Sequence, residues 1–385
     1  MFQSYLFPIS YAFLLFPLAA LLFTMPFLIV QYRRYGYVNK IRAIMLYLML
    51  LYLMNAYFLV LLPLPASRHN AAMHGGTVQL IPLHFIQDII KETTAVRGDY
   101  GTYWRMLQER AFLQVLFNIF LTVPFGMFLR YYFRTGWIRC LLLSFALSLS
   151  FEVTQLTGIY GIYDHAYRVF DVDDLLANTL GGMTGLVLAA WLSGLLPRID
   201  KLDEAVDVAA KRVSYTRRGV AWIVDTLLWM TALNILLVMD IPAAFWLTTG
   251  LYFILIPALT RGRTFGKWLV RIHLVGLERP LWLGLIIRCG LLYWGMLGLN
   301  LLPGLLDLPP IPNALIMMLL LVMDLCFFIH LVRCFLNRER RIFYEAWSGT
   351  DQRITWQPVL AEQHPEEAVS GAAHTYHLTH TEKKQ

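Results

Sequence analysis

The chain has 385 residues, of which 58% are hydrophobic and only 15% charged, with a mean hydropathy of +0.56. No soluble domain of this length needs so much apolar surface, and apolar runs of about twenty residues recur along it, as in a polytopic α-helical membrane protein. The runs are continuous rather than alternating, which argues against a β-barrel, and the net charge of +7 arises from Arg and Lys crowding short loops, not from a nucleic-acid surface.

The N-terminus lacks a basic leader and a small-residue cleavage site, so the first apolar run reads as a retained span, about Ile9 to Val30, kinked at Pro17 and Pro26. Arg33, Arg34, Lys40 and Arg42 follow it and signal the inner side, which puts the N-terminus outside. A second span, about Ala43 to Leu62, returns outward to Pro63 and Pro65. In the long loop from Leu64 to about Glu109, VQLIPLHFIQDIIKE is an apolar strip followed by a short amphipathic turn or helix, too short to span and suited to the outer interface. The loop histidines His69, His74 and His84 have no metal-ligand spacing.

Span three, about Phe112 to Phe133, contains Asn118, Pro124 and Gly126, and ends at Arg130, Arg134 and Arg139. Span four, about Cys140 to Ile159, and span five, about Leu175 to Leu196, meet across the loop within Ser148–Gly185, the stretch that carries most of the chemistry. Glu152 and Gln155 are spaced i, i+3 with Ser148 one turn earlier, so all three are expected on one helix face. Asp174 and Asn178 are spaced i, i+4 on the next helix, approached by Arg168, Asp171 and Asp173, of which Asp173 reads as the most solvated. A carboxylate at membrane depth costs roughly 2.5–3.5 kcal/mol, so several of them at neighbouring depths argue for a shared, outward-facing polar pocket. The competing reading is structural, with Arg168 pairing the aspartates and Glu152 pairing Asn178 to lock the helix ends. Gly181-x-x-x-Gly185 lets helices approach closely.

Residues 198–216 mix both charge signs and read as a cytoplasmic linker. Four spans follow, about Gly219–Val238, Phe245–Leu259, Trp282–Leu301 and Ala314–Cys334. Asp240 and Asp307 are the only charges in the predicted outer turns. Arg261, Arg263, Lys267, Arg271, Arg279, Arg338, Arg340 and Arg341 fall inside, so nine spans agree with one topology, N-terminus out and C-terminus in. The polar tail from 358 to 385 reads as disordered, and His377 and His380 within it as solvated. Cys140, Cys289, Cys326 and Cys334 show no CxxC spacing and read as packing residues.

In this second half Arg218 and Asp225 are two helical turns apart and expected to share a face, while Asp225 and Asp324 lie among apolar residues. Arg218, Asp225 and Asp324 thus form a candidate ion path. The Gly262–Lys267 stretch is not a P-loop, because its spacing is short and Trp268 replaces the required Ser or Thr. No HExxH, GxSxG or catalytic Cys–His spacing occurs, no cofactor or metal is implied, and binding is favoured over catalysis.

Residues 1–197 resemble the VanZ-like family. The resemblance is carried by LIP at Leu80–Pro82, NIFLTVPFG at Asn118–Gly126, SFEVTQ at Ser150–Gln155 and RVFDVDDLLANTLGGMTG at Arg168–Gly185. Gln79 departs from the asparagine usual before LIP. Residues 217–357 resemble RDD family membrane modules through RRGVAWIVD at Arg217–Asp225, GRTFGKWLVRI at Gly262–Ile272, Asp324 and RRIFYEAWSGT at Arg340–Thr350. There Glu345 stands in place of the usual aspartate, and four spans replace the more common three. The expected architecture is therefore all-α, with a five-span module, a linker, a four-span module and a tail. The VanZ-like resemblance implies a multi-pass protein of the bacterial cytoplasmic membrane that lowers susceptibility to lipoglycopeptides such as teicoplanin at the outer leaflet. Its ligand-binding residues would be Glu152, Gln155, Arg168, Asp171, Asp174 and Asn178. Their partners would be membrane lipids, a cell-wall lipid precursor or the antibiotic's lipid anchor, not nucleic acid, and no oligomeric state follows. Two other classes stay open: an enzyme on a polyprenyl-phosphate or peptidoglycan lipid with Glu152 or Asp174 as acid/base, and an ion or small-solute transporter through the RDD-like module.

Overall fold

A computed structural model describes residues 2–73, 75–93, 101, 107–195, 203, 206–208, 210–306, 308–337 and 341–355. His74, Asp307, Arg338, Arg340, most of 198–205 and the tail with His377 and His380 lie outside the described residues. Seven described helices are long and apolar enough to cross a membrane: α1 (Phe2–Arg34), α2 (Lys40–Leu61), α4 (Arg110–Tyr131), α5 (Trp137–Leu156), α6 (Val172–Leu192), α7 (Tyr215–Val238) and α11 (Pro310–Leu336). The molecule is a mostly helical membrane protein. Two of the nine predicted spans are shorter apolar helices, α8 (Ala244–Leu259) and α10 (Leu281–Leu297). Each contains π-helical turns, at Leu251–Leu255 and Gly290–Leu297. Wider i→i+5 turns of this kind are often found where a side chain must be re-aimed. Here they bring Phe253 and Tyr293 into a stack 3.9 Å apart, beside Trp229. α1 runs without interruption through Pro17 and Pro26, so the predicted kinks do not end the helix.

The chain is not purely α. Two short sheets occur among the described residues: β1 (Val78–Gln79) pairs in parallel with β2 (Phe170–Asp171), and β3 (Ile272–Gly276) pairs antiparallel with β4 (Thr350–Ile354). Both pairings join segments distant in sequence, which no local apolar period announces. α3 (His84–Glu92) is the amphipathic helix expected in the long loop. The smaller helices include α9 (Phe265–Leu269) and α12 (Phe343–Ser348), besides single turns at Gly158–Gly161 and Leu302–Leu305.

Contacts divide the chain into two compact units, one of Met1–Thr24 with Asn39–Glu204 and the other of Met25–Val38 with Ala205–Gln385. In the first, α4, α5 and α6 form the centre. A Cβ added at Gly181 or Gly185 would lie 2.1 or 2.0 Å from the Ile119 or Val123 carbonyl oxygen, and at Gly182 it would lie 2.0 Å from the Ser144 hydroxyl. α6 therefore meets α4 backbone to backbone on one side and a serine of α5 on the other. Below this seam Phe125, Leu129 and Cys140 are buried against Tyr52, Leu53 and Leu147.

In the second unit, Arg217 is 1% exposed and donates to three backbone carbonyls, those of Val270 (2.6 Å), Arg271 (3.1 Å) and Gly36 (2.8 Å), with its guanidinium over the Tyr32 ring. It ties the start of α7 to the start of β3. Gly266 in α9 sits so close to α7 that a Cβ there would lie 2.2 Å from the Ala221 carbonyl oxygen.

Candidate functional site

The polar cluster of the first unit is built where α4, α5 and α6 converge. Asp171 ends β2 and caps α6, its carboxylate accepting from the Asp173 N–H at 2.8 Å. That cap turns the Asp171 backbone N–H toward α5, where it donates to the Glu152 carboxylate at 3.0 Å. One turn into α6, the Asp174 carboxylate accepts from the Asn118 side chain of α4 at 2.5 Å. A turn further, the Asn178 amide N–H donates to the Ser148 hydroxyl at 3.0 Å, and that hydroxyl donates to the Asp174 carbonyl at 3.3 Å. The Thr122 hydroxyl of α4 donates to the Asn178 carbonyl at 2.6 Å. Glu152 and Asn178 are 2% and 3% exposed and closed between the helices, whereas Asp171 and Asp174 are partly exposed. Burial pushes the Asp171 carboxyl above the usual carboxylate range, with Asp173 and Asp88 adding to the shift.

Of the six residues singled out from sequence, Glu152, Asp171, Asp174 and Asn178 come together. Gln155 does not: it is buried and its amide donates to the Val60 carbonyl at 2.9 Å, tying α5 to the end of α2. Spacing of i, i+3 leaves about 60° between side chains, enough to turn Gln155 toward a different neighbour than Glu152. Arg168 lies within electrostatic reach of Glu152 and Asp174, but its guanidinium donates to the Leu62 carbonyl at 2.9 Å and makes no ion pair with the cluster acids. The expected Arg–Asp and Glu152–Asn178 pairings are thus replaced by bonds to backbone and serine.

Asp173, read from sequence as solvated, is 5% exposed and accepts from the Leu83 and Phe85 N–H groups at 2.6 and 2.8 Å. A carboxylate there satisfies the otherwise orphaned donors of the first turn of α3, so this acid latches α3 to α6. Asn118 was not among the predicted site residues, although an amide amid the apolar run NIFLTVPFG marks it. Among the described residues no three His, Cys, Asp or Glu side chains are placed to hold a metal ion.

The second unit separates the three residues of the candidate ion path. Asp225 is 1% exposed and accepts from the Tyr252 hydroxyl (2.8 Å), the Thr264 hydroxyl (2.5 Å) and the Gly266 N–H (2.7 Å), with the Lys267 ammonium 3.6 Å away. Burial lowers the Lys267 pKa, opposed by the attraction of Asp225. Arg218 turns to Glu345 instead, at 2.8 Å. Glu345 also accepts from Arg288 at 3.3 Å and from the Gln352 amide at 3.0 Å. Burial alone would raise the Glu345 carboxyl, but the guanidiniums of Arg288 and Arg218 outweigh it and hold the pKa below the usual value. Asp324 is bonded to the Asn300 side chain at 3.1 Å. The three residues therefore have different partners and form no chain of contacts. Arg217 and Glu345 are the fully buried charges that sequence reasoning passed over in favour of Arg218.

The comparison with curated proteins and that with solved structures give no match. Among protein families, the model described as VanZ/LLP1 matches residues 49–193 and does not extend into the C-terminal half, where the RDD resemblance rests on its residues alone. The matched stretch runs from within α2 to just past the end of α6 and contains the whole Glu152–Asp174–Asn178 cluster, so this part of the chain is similar to the VanZ/LLP1 family.

Proposed function

We propose that the protein is a VanZ-type component of the bacterial cytoplasmic membrane that acts at the outer leaflet and lowers susceptibility to lipoglycopeptide antibiotics of the teicoplanin type. It would do so by engaging a cell-wall lipid precursor or the antibiotic's lipid anchor through the cluster of Glu152, Asp171, Asp174 and Asn178. The observation that carries this reading is the position of those polar groups, Glu152 and Asn178 buried among them, inside the VanZ/LLP1 match. Carboxylates and amides kept within a helical membrane bundle are costly and are retained where they hold something. In the orientation read from the loop charges, N-terminus out and C-terminus in, the Asp171 end of α6 faces outward.

The test is lipoglycopeptide susceptibility in a sensitive Gram-positive host that makes the protein, compared with Glu152→Gln, Asp174→Asn and Asp225→Asn at matched membrane levels. The reading expects resistance from the intact chain, lost on the first two changes and retained on the third. No change in susceptibility with the intact chain overturns it.

A second reading, ion or small-solute transport through the RDD-like C-terminal module, draws support from the buried Asp225–Lys267 pair. Proton- or sodium-coupled flux in proteoliposomes, lost in Asp225→Asn, is its signature. Absence of flux from folded protein removes it.

A further inference from the structure

In the cluster of the VanZ-like part, the donors that the structure pairs all meet acceptors of the cluster or its surroundings. The Asn118 amide N–H goes to Asp174, the Asn178 N–H to Ser148, the Asp171 backbone N–H to Glu152, and a guanidinium N–H of Arg168 to the Leu62 carbonyl. What remains unpartnered is the Asn178 side-chain oxygen, in a residue 3% exposed. The amide cannot simply be turned round to cure this. The Ser148 hydroxyl has given its only hydrogen to the Asp174 carbonyl, so it can accept from Asn178 but not donate to it. A buried acceptor without a donor is costly, and it lies one helical turn from Asp174 on the same face of α6.

We propose that this cluster binds a primary ammonium group, with the Asn178 side-chain oxygen and the Asp174 and Glu152 carboxylates as its acceptors; this rests on the reading of the cluster as the protein's binding site. A metal ion is the poorer fit, because among the described residues no three His, Cys, Asp or Glu side chains are placed to hold one. A phosphate is poorer still, because its oxygens bring no hydrogen for the unpartnered Asn178 oxygen. An ammonium has three hydrogens, enough for the amide oxygen and the two carboxyl groups, and can arrive on a flexible chain, either as a lipid headgroup or as a free amine.

The experiment uses full-length protein in nanodiscs of phosphatidylglycerol, which has no amine. Calorimetric titration compares dodecylammonium, dodecyltrimethylammonium and dodecyl phosphate, which share one tail. The ammonium should bind about ten- to a hundredfold more tightly than its trimethyl analogue, the weight of one or two charged hydrogen bonds. Asn178→Leu should erase that margin, while Asn178→Asp, which keeps an acceptor and the volume, should retain it. Equal affinity for the ammonium and trimethyl probes overturns the assignment without any variant, as does preference for the phosphate or a margin that survives Asn178→Leu in folded protein. A protonated-carboxyl infrared band that disappears in Glu152→Gln or Asp174→Asn but does not respond to the ammonium also overturns it, since an internal proton then serves Asn178. Competition by phosphatidylethanolamine in the disc but not by soluble ethanolamine identifies a lipid source, and the reverse a free amine. Wild-type protein that confers resistance but shows no ammonium margin sinks this ligand alone; a wild-type margin that is lost in Asp174→Asn while resistance survives sinks the antibiotic reading alone.

Discussion

Replacing Glu345 with glutamine should weaken the second unit more than any single exposed charge could. Glu345 is 2% exposed and is shared by Arg218 at 2.8 Å and Arg288 at 3.3 Å, whose side chains are 17% and 12% exposed. The variant keeps the volume and an acceptor for Gln352, but leaves two largely buried guanidiniums without their anion. Breaking a buried pair from one side costs about 3–5 kcal/mol, and the retained acceptor puts the expected loss near the lower end, about 3 kcal/mol. The assay is unfolding of detergent-solubilised protein followed by tryptophan emission, wild type against Glu345→Gln, across pH. Because the Glu345 pKa is held below its ordinary value, its contribution is present above the unfolded glutamate value of about 4.3 and is lost as pH falls through the lower folded value. The gap between wild type and variant should therefore be flat near neutrality and close on acidification. A gap under about 1 kcal/mol at neutral pH, or one that widens with acid, refutes the reasoning.

Three further outcomes follow from the geometry. Gly181→Ala drives a Cβ to within 2.1 Å of the Ile119 carbonyl oxygen, backbone that cannot swing aside, so α4 and α6 must separate. A loss of about 1–3 kcal/mol is expected from overpacking, read as a fall in detergent unfolding midpoint, whereas Gly194→Ala, with nothing near its Cβ, should change nothing. Asp171→Asn keeps a capping side chain and removes a carboxylate whose pKa burial raises, so it should be neutral or slightly stabilising. Asp171→Ala should cost about 1 kcal/mol through the lost cap, measured the same way. Asp173→Ala removes two acceptor bonds to Leu83 and Phe85, and hydrogen exchange in His84–Glu92 should rise sharply while α5 and α6 stay protected.

Much of the first site was legible because the membrane makes polar residues conspicuous: Glu152, Asp174 and Asn178 stand out in apolar runs, and helical spacing put Asp174 and Asn178 on one face. Spacing does not say which neighbour a side chain meets. Gln155 and Arg168 found backbone carbonyls of α2 and its following residue, and Asp173 found α3, partners set by tertiary contact alone. In the second unit, Arg217 and Arg218 are adjacent, and a 100° turn of the helix decides which of them is buried. The charge signal marked both but could not choose. β3 and β4 escaped notice because each is five residues long and its partner lies far along the chain. The two π-containing helices read as ordinary spans because hydropathy reports composition, not rise.

The pairing of β3 with β4 also bears on how the protein is made. Ile272 waits for Ile354, and Arg288 waits for Glu345, while α10 and α11 are synthesised in between. During translation the second unit therefore holds an unmatched guanidinium and an open strand edge until α12 and β4 leave the ribosome. A stop codon just after α11 would leave every span in place yet deny the unit its closing strand and its anion. Such a chain should insert into the membrane and then be a target for degradation, which makes the short stretch after α11 a checkpoint on completeness rather than a dispensable end.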